Sequence, residues 1–163
     1  MPYVELHACS AFSFLRGGSF PEQLAETAAE LKMSAMALLD RNGVYGSQRF
    51  SVAAREHDVR PITGAELTME DGTVLPVLVK DRRGYENLCE LLTQAHLRSE
   101  KGECAVKWSE LPEFSNGVVA LLGSARASRA GDRALAIANL QRSKKISATA
   151  PKSAREGACA PQI

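Results

Sequence analysis

Short apolar runs alternate along the chain with segments in which apolar residues recur every three or four positions. The apolar runs predict strands at residues 3–7, 34–39, 60–67, 74–79 and 117–122. The helical spacing predicts helices at residues 19–31, 47–57 and 84–97. Strands that alternate with helices are typical of α/β folds, so the sequence predicts helices packed around a mainly parallel sheet.

The predicted helices have recognisable ends and apolar faces. Ser19 is predicted to be the N-cap of the first helix, with Glu22 closing a capping box. The face of this helix that packs on the sheet is predicted to contain Leu24, Ala28 and Leu31. The third helix is predicted to bury a single apolar face, formed by Leu88, Leu91, Leu92 and Ala95.

Turns and aromatic residues add details to this pattern. The E-D-G-T turn at residues 70–73 predicts a hairpin between the third and fourth strands. Pro76 cannot donate a ladder hydrogen bond, which predicts an edge position or a bulge for the fourth strand. Trp108 is predicted to anchor a loop to the body of the domain. Three phenylalanines of the first loop are predicted to pack in the core rather than to stack on nucleobases: Phe12, Phe14 and Phe20.

The character of the sequence changes after about residue 123. Residues 124–140 are predicted to contain one more helix, whereas residues 141–163 are small, basic and aperiodic. A segment of that composition buries too little apolar surface to offset its ordering entropy, so a disordered tail is predicted. The predicted organisation is therefore one folded domain at residues 1–123, then a helix, then a tail.

Composition fits one domain and argues against several classes of protein. The chain has 163 residues and a formal net charge of +1, so no global attraction toward nucleic acid is expected. It has neither a secretion signal nor an apolar run of about 20 residues, which predicts a cytoplasmic protein without a membrane span. A zinc ribbon and a disulfide framework are not expected, because paired spacing is lacking among Cys9, Cys89, Cys104 and Cys159.

Residues of metal-ligand type follow three of the predicted strands. His7 ends the first predicted strand and Cys9 lies just beyond it, Asp40 follows the second, and Glu66 lies at the end of the third. The carboxyl ends of successive strands in a β/α barrel meet at one mouth, so these four side chains are predicted to lie together. Imidazole and carboxylate ligands can hold ions that activate water and neutralise a phosphate. The four residues are therefore the candidate ligands of a zinc or manganese site.

The segments around these residues resemble the motifs of one family. L-H-A-C-S-A-F-S-F-L-R-G-G-S resembles the first motif of the polymerase-and-histidinol-phosphatase (PHP) domain of bacterial C-family DNA polymerase III alpha subunits. A-L-L-D-R-N-G-V-Y-G and R-P-I-T-G-A-E-L resemble its second and third motifs. F-L-R-G and the later K-G-E are most similar to the error-prone, damage-tolerant paralogue. The resemblance covers residues 3–123 and implies a partial, distorted, TIM-like β/α barrel.

The chain departs from the family pattern at three positions. Cys9 and Arg41 stand where the resemblance implies histidines, and another histidine is replaced near Val74. A cysteine thiolate can still bind zinc, but a guanidinium is permanently charged and repels a cation beside it. We therefore expect a vestigial site in which Arg41 pairs with Asp40 or Glu66 in place of a metal. Weakly held zinc or manganese is the alternative.

The resemblance implies a structural and interaction module of an alpha subunit that synthesises DNA from deoxynucleoside triphosphates with magnesium. The implied partners are the remainder of the polymerase chain and, through it, DNA, the sliding clamp and damage-response accessory proteins. The polymerase's catalytic carboxylates belong to a later domain, so no catalytic residue is predicted here. A truncated chain with an incomplete barrel is expected. The alternatives are a free-standing metal-dependent phosphoesterase similar to histidinol phosphatases, or a regulatory protein that binds a nucleotide or partner in the old metal pocket.

Overall fold

The computed structural model describes residues 3–121, which form five strands and four helices. The strands are β1 (Glu5–Ala8), β2 (Ala35–Arg41), β3 (Arg60–Thr68), β4 (Val74–Val79) and β5 (Val118–Ala120). The helices are α1 (Pro21–Glu30), α2 (Ser47–Glu56), α3 (Arg82–Arg98) and α4 (Leu111–Phe114). Every strand and helix predicted within this range is present, with ends shifted by a few residues, and α4 is an addition.

The strands form one sheet in chain order from β1 to β5. β1, β2 and β3 pair in parallel, with Ala35–Arg41 of β2 aligned on Arg60–Glu66 of β3. β4 returns antiparallel to β3 through the predicted hairpin, and β5 is antiparallel to β4. Four of these five strands therefore run in the same direction, which confirms the predicted α/β architecture with a mostly parallel sheet.

The start of α1 corrects the predicted cap. The helix begins at Pro21, so its N-cap is Phe20 and not Ser19. The backbone N–H of Phe20 donates to Gln23 Oε1 at 2.9 Å. The side chain that returns to the N-cap is therefore that of Gln23 rather than Glu22, because the helix starts one residue later than predicted.

The core of the described residues consists of two apolar clusters. The first joins α1 and α2 to β2 and includes Ala25, Ala28, Met36, Leu38 and Phe50. The second joins α3 and α4 to β3 and β4 and includes Leu67, Leu75, Leu88, Leu91 and Phe114. The predicted buried face of α3 is confirmed. The predicted burial of Leu31 is wrong, since α1 ends at Glu30 and leaves Leu31 exposed.

The predicted core position of the loop phenylalanines is also wrong. Phe12 and Phe20 are about half exposed, and Phe14 is 83% exposed. The guanidinium of Arg49 lies 5.6 Å from the centre of the Phe12 ring and 5.8 Å from that of Phe20. The two rings therefore pack on a cation at the surface. Arg49 also binds both carboxylate oxygens of Glu22, which links the loop to α1 and α2.

Pro76 lies inside a strand that is paired on both sides. The register of β4 with β3 continues through Pro76, so neither the edge position nor the bulge is present. The Pro76 carbonyl accepts a hydrogen bond from the Leu121 N–H, just beyond the end of β5. Pro76 has no N–H to donate, and it lies where the hydrogen-bond ladder between β4 and β5 stops, which explains why proline is tolerated.

The prediction that Trp108 anchors a loop is confirmed, because Trp108 Nε1 donates to Asp71 Oδ2 at 2.9 Å.

Several predictions concern parts of the chain beyond this description. The predicted domain boundary near residue 123, the helix at residues 124–140 and the tail at residues 141–163 all lie outside the described residues. Within residues 3–121, none of the helices is long and apolar enough to cross a membrane.

Candidate functional site

The candidate site lies at the carboxyl ends of the three parallel strands. His7 is in β1, Asp40 and Arg41 end β2, and Glu66 is near the end of β3. Arg41 is aligned with Glu66, so the two side chains leave the sheet on the same face. Asp40 is the preceding residue, and its side chain leaves on the other face. The predicted ligands are therefore brought to one end of the sheet but are divided between two environments.

Asp40 is held by the loop that follows β1. Its side chain is buried, with 1% of the residue exposed. Oδ1 accepts hydrogen bonds from the Ser10 N–H at 2.9 Å, from Ser10 Oγ at 2.8 Å and from Ser13 Oγ at 2.8 Å. Oδ2 accepts one from the Gly46 N–H at 2.9 Å. Both oxygens of this carboxylate are thus occupied by hydrogen-bond donors from the two loops beside it.

Glu66 is the centre of a second group. His7 Nε2 lies 2.7 Å from Glu66 Oε1. Arg16 NH1 donates to Glu66 Oε2 at 3.4 Å, and Arg41 NH1 lies 3.7 Å from the same oxygen. The Glu66 side chain is 12% exposed, so these contacts lie in a partly water-excluded place, where charge pairing is less screened than at the open surface. We call these four residues the Glu66 cluster.

Arg41 is the best-anchored cation of the Glu66 cluster. Its Nε donates to Thr68 Oγ1 at 2.8 Å, and its backbone N–H donates to Ser13 Oγ at 3.0 Å. NH1 is buried and has no hydrogen-bond partner among the described residues, although it is within ion-pair distance of Glu66. The structure thus pairs Arg41 with Glu66 and not with Asp40, which were the two predicted partners.

Cys9 lies between the two environments. It is a half-buried free thiol. Burial raises the pKa of this thiol above its ordinary value, and the negative charges of Glu66 and Asp40 raise it further. Arg16 acts in the opposite direction as a smaller effect. The thiolate that zinc prefers is therefore disfavoured at neutral pH.

The four predicted ligands do not form a coordination cluster. Within the described residues, no group of three or more His, Cys, Asp and Glu side chains is placed so that it could hold a metal ion. His7 and Glu66 are in direct contact, whereas Asp40 is enclosed by its own donors. The donor set also includes a guanidinium beside Glu66. These residues do not fit the multinuclear site that their motifs suggest.

Sequence reasoning missed the residues that build the surroundings of the site. Ser10 and Ser13 supply three of the hydrogen bonds to Asp40, and Arg16 reaches Glu66 from the same loop. The S-A-F-S spacing was the available signal, since serine hydroxyls commonly bind nearby backbone and carboxylate groups in loops. The path of an irregular loop leaves no periodic signature, so the partners could not be assigned from the sequence.

Two glycines pack closely against Asp40 and against the loop residue Ser10 that binds it. A Cβ added to Gly46 would lie 2.7 Å from Asp40 Oδ2 and 3.0 Å from Ser10 Oγ. A Cβ added to Gly17 would lie 2.0 Å from the Ser10 carbonyl oxygen. Gly46 thus leaves room for the Asp40 carboxylate, and Gly17 leaves room for the backbone of Ser10, whose N–H and hydroxyl bind that carboxylate.

Comparison with known proteins gives one family. The sequence profile of the PHP domain matches residues 5–156. An error-prone DNA polymerase of Mycolicibacterium paratuberculosis is 44% identical over 128 residues, which cover 72% of this chain and 12% of the polymerase. An error-prone DNA polymerase of Caulobacter vibrioides is 41% identical over 123 residues, which cover 74% of this chain and 11% of the polymerase. The chain thus spans only a small part of the length of these relatives.

Solved structures are more distant. An amidohydrolase from Chromobacterium violaceum is 22% identical with a TM-score of 0.49, and the match covers 58% of this chain and 33% of that protein. A protein from Bifidobacterium adolescentis that is described as a metal-dependent phosphoesterase is 16% identical with a TM-score of 0.47, covering 97% of this chain and 58% of that protein. At these values neither likeness supports an inference about chemistry.

Proposed function

The chain belongs to the PHP-domain family, and we propose that it is the N-terminal PHP region of a bacterial error-prone DNA polymerase alpha subunit. In this role it is a structural and interaction module whose metal site is degenerate. The identity of 41–44% to error-prone polymerases over more than two thirds of the chain supports the assignment. The order of the three motifs along the chain supports it as well.

The observation that carries the degenerate-site proposal is the position of Arg41. Its guanidinium lies 3.7 Å from Glu66 Oε2, beside the carboxylate that a metal would have to share. A guanidinium keeps its charge at every physiological pH, so it cannot give way to a cation. Mutual repulsion between the guanidinium and a divalent ion at that distance would oppose binding. This argues against the metal-dependent phosphoesterase as the function of the chain.

The same contacts suggest what the site does instead. Carboxylates that lie close together at the ends of neighbouring strands repel one another unless a cation lies between them. Here Arg41 and Arg16 bring two positive charges to Glu66, while the negative charge of Asp40 is stabilised by hydrogen-bond donors from its loops. Arginine therefore takes the stabilising role of a metal without its catalytic role. The result is a rigid end of the sheet that is suited to supporting neighbouring parts of a longer polymerase.

The remaining parts of the function belong to the longer protein. Template-directed DNA synthesis with magnesium, and binding to DNA, the sliding clamp and damage-response proteins, would be activities of the polymerase that contains this module. The chain itself would contribute contacts to the remainder of that polymerase in the cytoplasm. The relatives leave ample sequence for those activities, because the matched region is only 11–12% of their length.

A domain replacement tests this role. The matched region of the Caulobacter vibrioides polymerase is replaced by the corresponding residues of this chain, and extension of a primed template is measured. We expect the replacement polymerase to extend the primer at a rate comparable with its parent. A version carrying Asp40→Ala should lose soluble, active protein, since it loses the bonds that hold the first loop. A version carrying Arg82→Gln is the matched control, because that residue is 93% exposed.

Two results would contradict the proposal. The first is a folded replacement polymerase that no longer extends the primer, although its parent does. The second is manganese- or zinc-dependent hydrolysis of a phosphomonoester by the isolated chain, abolished by His7→Ala. The second result would favour the free-standing phosphoesterase instead.

A further inference from the structure

The loop that follows β1 carries a small apolar tip. The Ser13 carbonyl accepts a hydrogen bond from the Arg16 N–H at 2.9 Å, which closes a turn over residues 13–16. This turn, which we call the first-loop tip, has Phe14 and Leu15 at its two central positions. Phe14 is 83% exposed and Leu15 is 90% exposed. The fold of the described residues therefore does not use either side chain for packing.

The backbone of Leu15 is held in a conformation that disfavours leucine. Its φ is +60°, in the left-handed region, which glycine and asparagine adopt at lower cost than a bulky residue. Burial does not explain the choice of leucine, because the side chain lies in solvent. Strained residues of this kind cluster at sites that bind a ligand or a partner.

The base of the loop holds this tip in place. The Ala11 N–H donates to the Ser19 carbonyl at 2.8 Å, which closes the loop. Ser10 and Ser13 donate their hydroxyl hydrogens to Asp40 Oδ1, both at 2.8 Å, so the loop is tied to the end of β2. A surface that is ordered before binding loses less conformational entropy on binding than a flexible one. The first-loop tip is therefore preorganised for a partner.

Aromatic rings and an arginine lie next to the tip. Phe12 and Phe20 are 42% and 54% exposed, and the Arg49 guanidinium lies 5.6 Å and 5.8 Å from their ring centres. Aromatic residues and arginine are the residue types that contribute most to protein interfaces. Together with Phe14 and Leu15, these residues extend the apolar tip into a wider surface.

The charges around the tip favour a protein over a nucleic acid as its partner. Arg49 already binds both carboxylate oxygens of Glu22, and Arg16 is paired with Glu66. Binding of single-stranded nucleic acid by aromatic residues also needs cations that contact the phosphates. Cations that are paired with carboxylates serve that purpose poorly, whereas an apolar protein surface needs no such cations.

We propose that Phe14 and Leu15 of the first-loop tip insert into an apolar pocket on the remainder of the error-prone polymerase. The inference rests on the proposed role of the chain as a module of that polymerase, and it names the surface through which the module docks. The relatives support this occupant, because the matched region is only 11–12% of their length and the rest of each polymerase lies outside it. An exposed apolar tip is a liability on a free domain but not on a module that the same protein covers.

A second copy of the chain is a less suitable occupant. Most homodimers have two-fold symmetry, so the same patch of each copy must face its equivalent. Two protruding tips do not complement each other in shape. A stable interface also buries about 800 Å² of each partner, which is more than one short turn offers.

Hydroxyl-radical footprinting with mass spectrometry measures whether the tip is covered, and it needs no variant. The replacement polymerase described above is compared with the 163-residue chain by itself. Oxidation of Phe14 and Leu15 should be slower by about fivefold or more in the polymerase, since residues that anchor an interface are desolvated. Leu97, which is 82% exposed at the end of α3, is the matched comparison and should react at the same rate in both. Equal protection of Leu97 and Leu15 would contradict docking through the tip.

Leu15→Asn adds a test with two opposite expected signs. In the 163-residue chain, asparagine relieves the backbone strain, so the melting temperature should rise by about 2–5 °C. In the replacement polymerase the same change removes an anchor, so the protection of Phe14 should be lost and the melting temperature should fall. A loop with a purely local role would shift both melting temperatures in the same direction. Leu97→Gln is the matched control and should change neither, because it removes an exposed leucine but keeps the helix propensity.

Primer extension on the same samples separates this inference from the proposed function. An active replacement polymerase in which Phe14 and Leu15 react as fast as in the chain by itself would overturn the docking and leave the proposed function standing. A folded replacement polymerase that is inactive and leaves the tip exposed would overturn both.

Two other occupants of the tip would also overturn the proposal. One is a second copy, which light scattering would show as a dimer of the 163-residue chain that Leu15→Asn dissociates. The other is single-stranded DNA, shown by binding of an oligothymidylate that Phe14→Ser abolishes and Leu97→Gln leaves unchanged.

Discussion

Asp40→Ala removes a buried carboxylate that accepts four hydrogen bonds. The two serine hydroxyls can rotate toward other acceptors, but the backbone N–H groups of Ser10 and Gly46 cannot. Each buried N–H that loses its acceptor costs about 1–3 kcal/mol, so the two together predict a loss of about 2–6 kcal/mol in the free energy of unfolding. Because small domains are stable by only about 5–15 kcal/mol, this is a large part of the total.

Asp40→Asn refines this prediction. The asparagine carbonyl can still accept from one group of donors, but its amide then faces the other. Such a variant should lose one buried acceptor, at a cost of about 1–3 kcal/mol, and should fall between Asp40→Ala and the unmodified chain. Glu22→Gln is the matched control, since Glu22 is an exposed carboxylate paired with Arg49 and its change should cost at most about 1 kcal/mol.

Urea unfolding followed by circular dichroism measures all three variants. We expect Glu22→Gln to be the most stable of the three variants, Asp40→Asn to be intermediate and Asp40→Ala to be the least stable. Faster amide hydrogen exchange at Ser10 and Gly46 should accompany the loss in the Asp40 variants. An Asp40→Ala variant as stable as Glu22→Gln would show that the first loop is held by something other than this carboxylate.

Three further variants or reactions test a glycine and a cysteine beside the site and the tryptophan that anchors a loop. Gly46→Ala should destabilise the domain by about 1–3 kcal/mol in urea unfolding, since its Cβ would lie 2.7 Å from Asp40 Oδ2; equal stability would mean that the loop shifts freely. Cys9 should react with iodoacetamide more slowly in the folded than in the urea-unfolded chain at pH 7.5–8, because burial raises its pKa and lowers the thiolate fraction; equal rates by mass spectrometry would contradict this. Trp108→Phe should cost about 1 kcal/mol through the lost bond to Asp71, measured by thermal unfolding, and no change would show that the ring packing alone anchors the loop.

The sequence predicted the buried residues correctly in strands and helices whose apolar spacing matches the face that packs on the core. The apolar run of β2 is almost entirely buried, and the four leucine and alanine positions of α3 face the core as their spacing requires. The same reasoning failed for Phe12 and Phe14, because hydrophobicity alone does not tell a core residue from an exposed one in a loop. The N-cap of α1 was predicted one residue too early, because Ser19 is a preferred N-cap residue type. The observed cap instead uses the Gln23 side chain, which accepts from the Phe20 N–H.

The candidate site could be located from the sequence but not resolved. Strand ends predicted the end of the sheet at which the four candidate ligands lie. Whether Arg41 would pair with Asp40 or with Glu66 depends on strand register, because a shift of one residue moves every side chain to the other face. The observed register aligns Arg41 with Glu66, and the Asp40 side chain on the opposite face accepts hydrogen bonds from loop residues such as Ser10. Only the three-dimensional arrangement separates these two environments.

The most direct test of the degenerate metal site is the metal content of the chain after chelator treatment and re-exposure to manganese or zinc, with a phosphomonoester hydrolysis assay on the same sample. We expect no stoichiometric metal and no metal-dependent turnover, because Arg41 lies beside Glu66 and both oxygens of Asp40 already accept hydrogen bonds. Stoichiometric metal that supports turnover and is lost in His7→Ala would contradict it, since it would show that Cys9 and Arg41 are tolerated in a working PHP metal site.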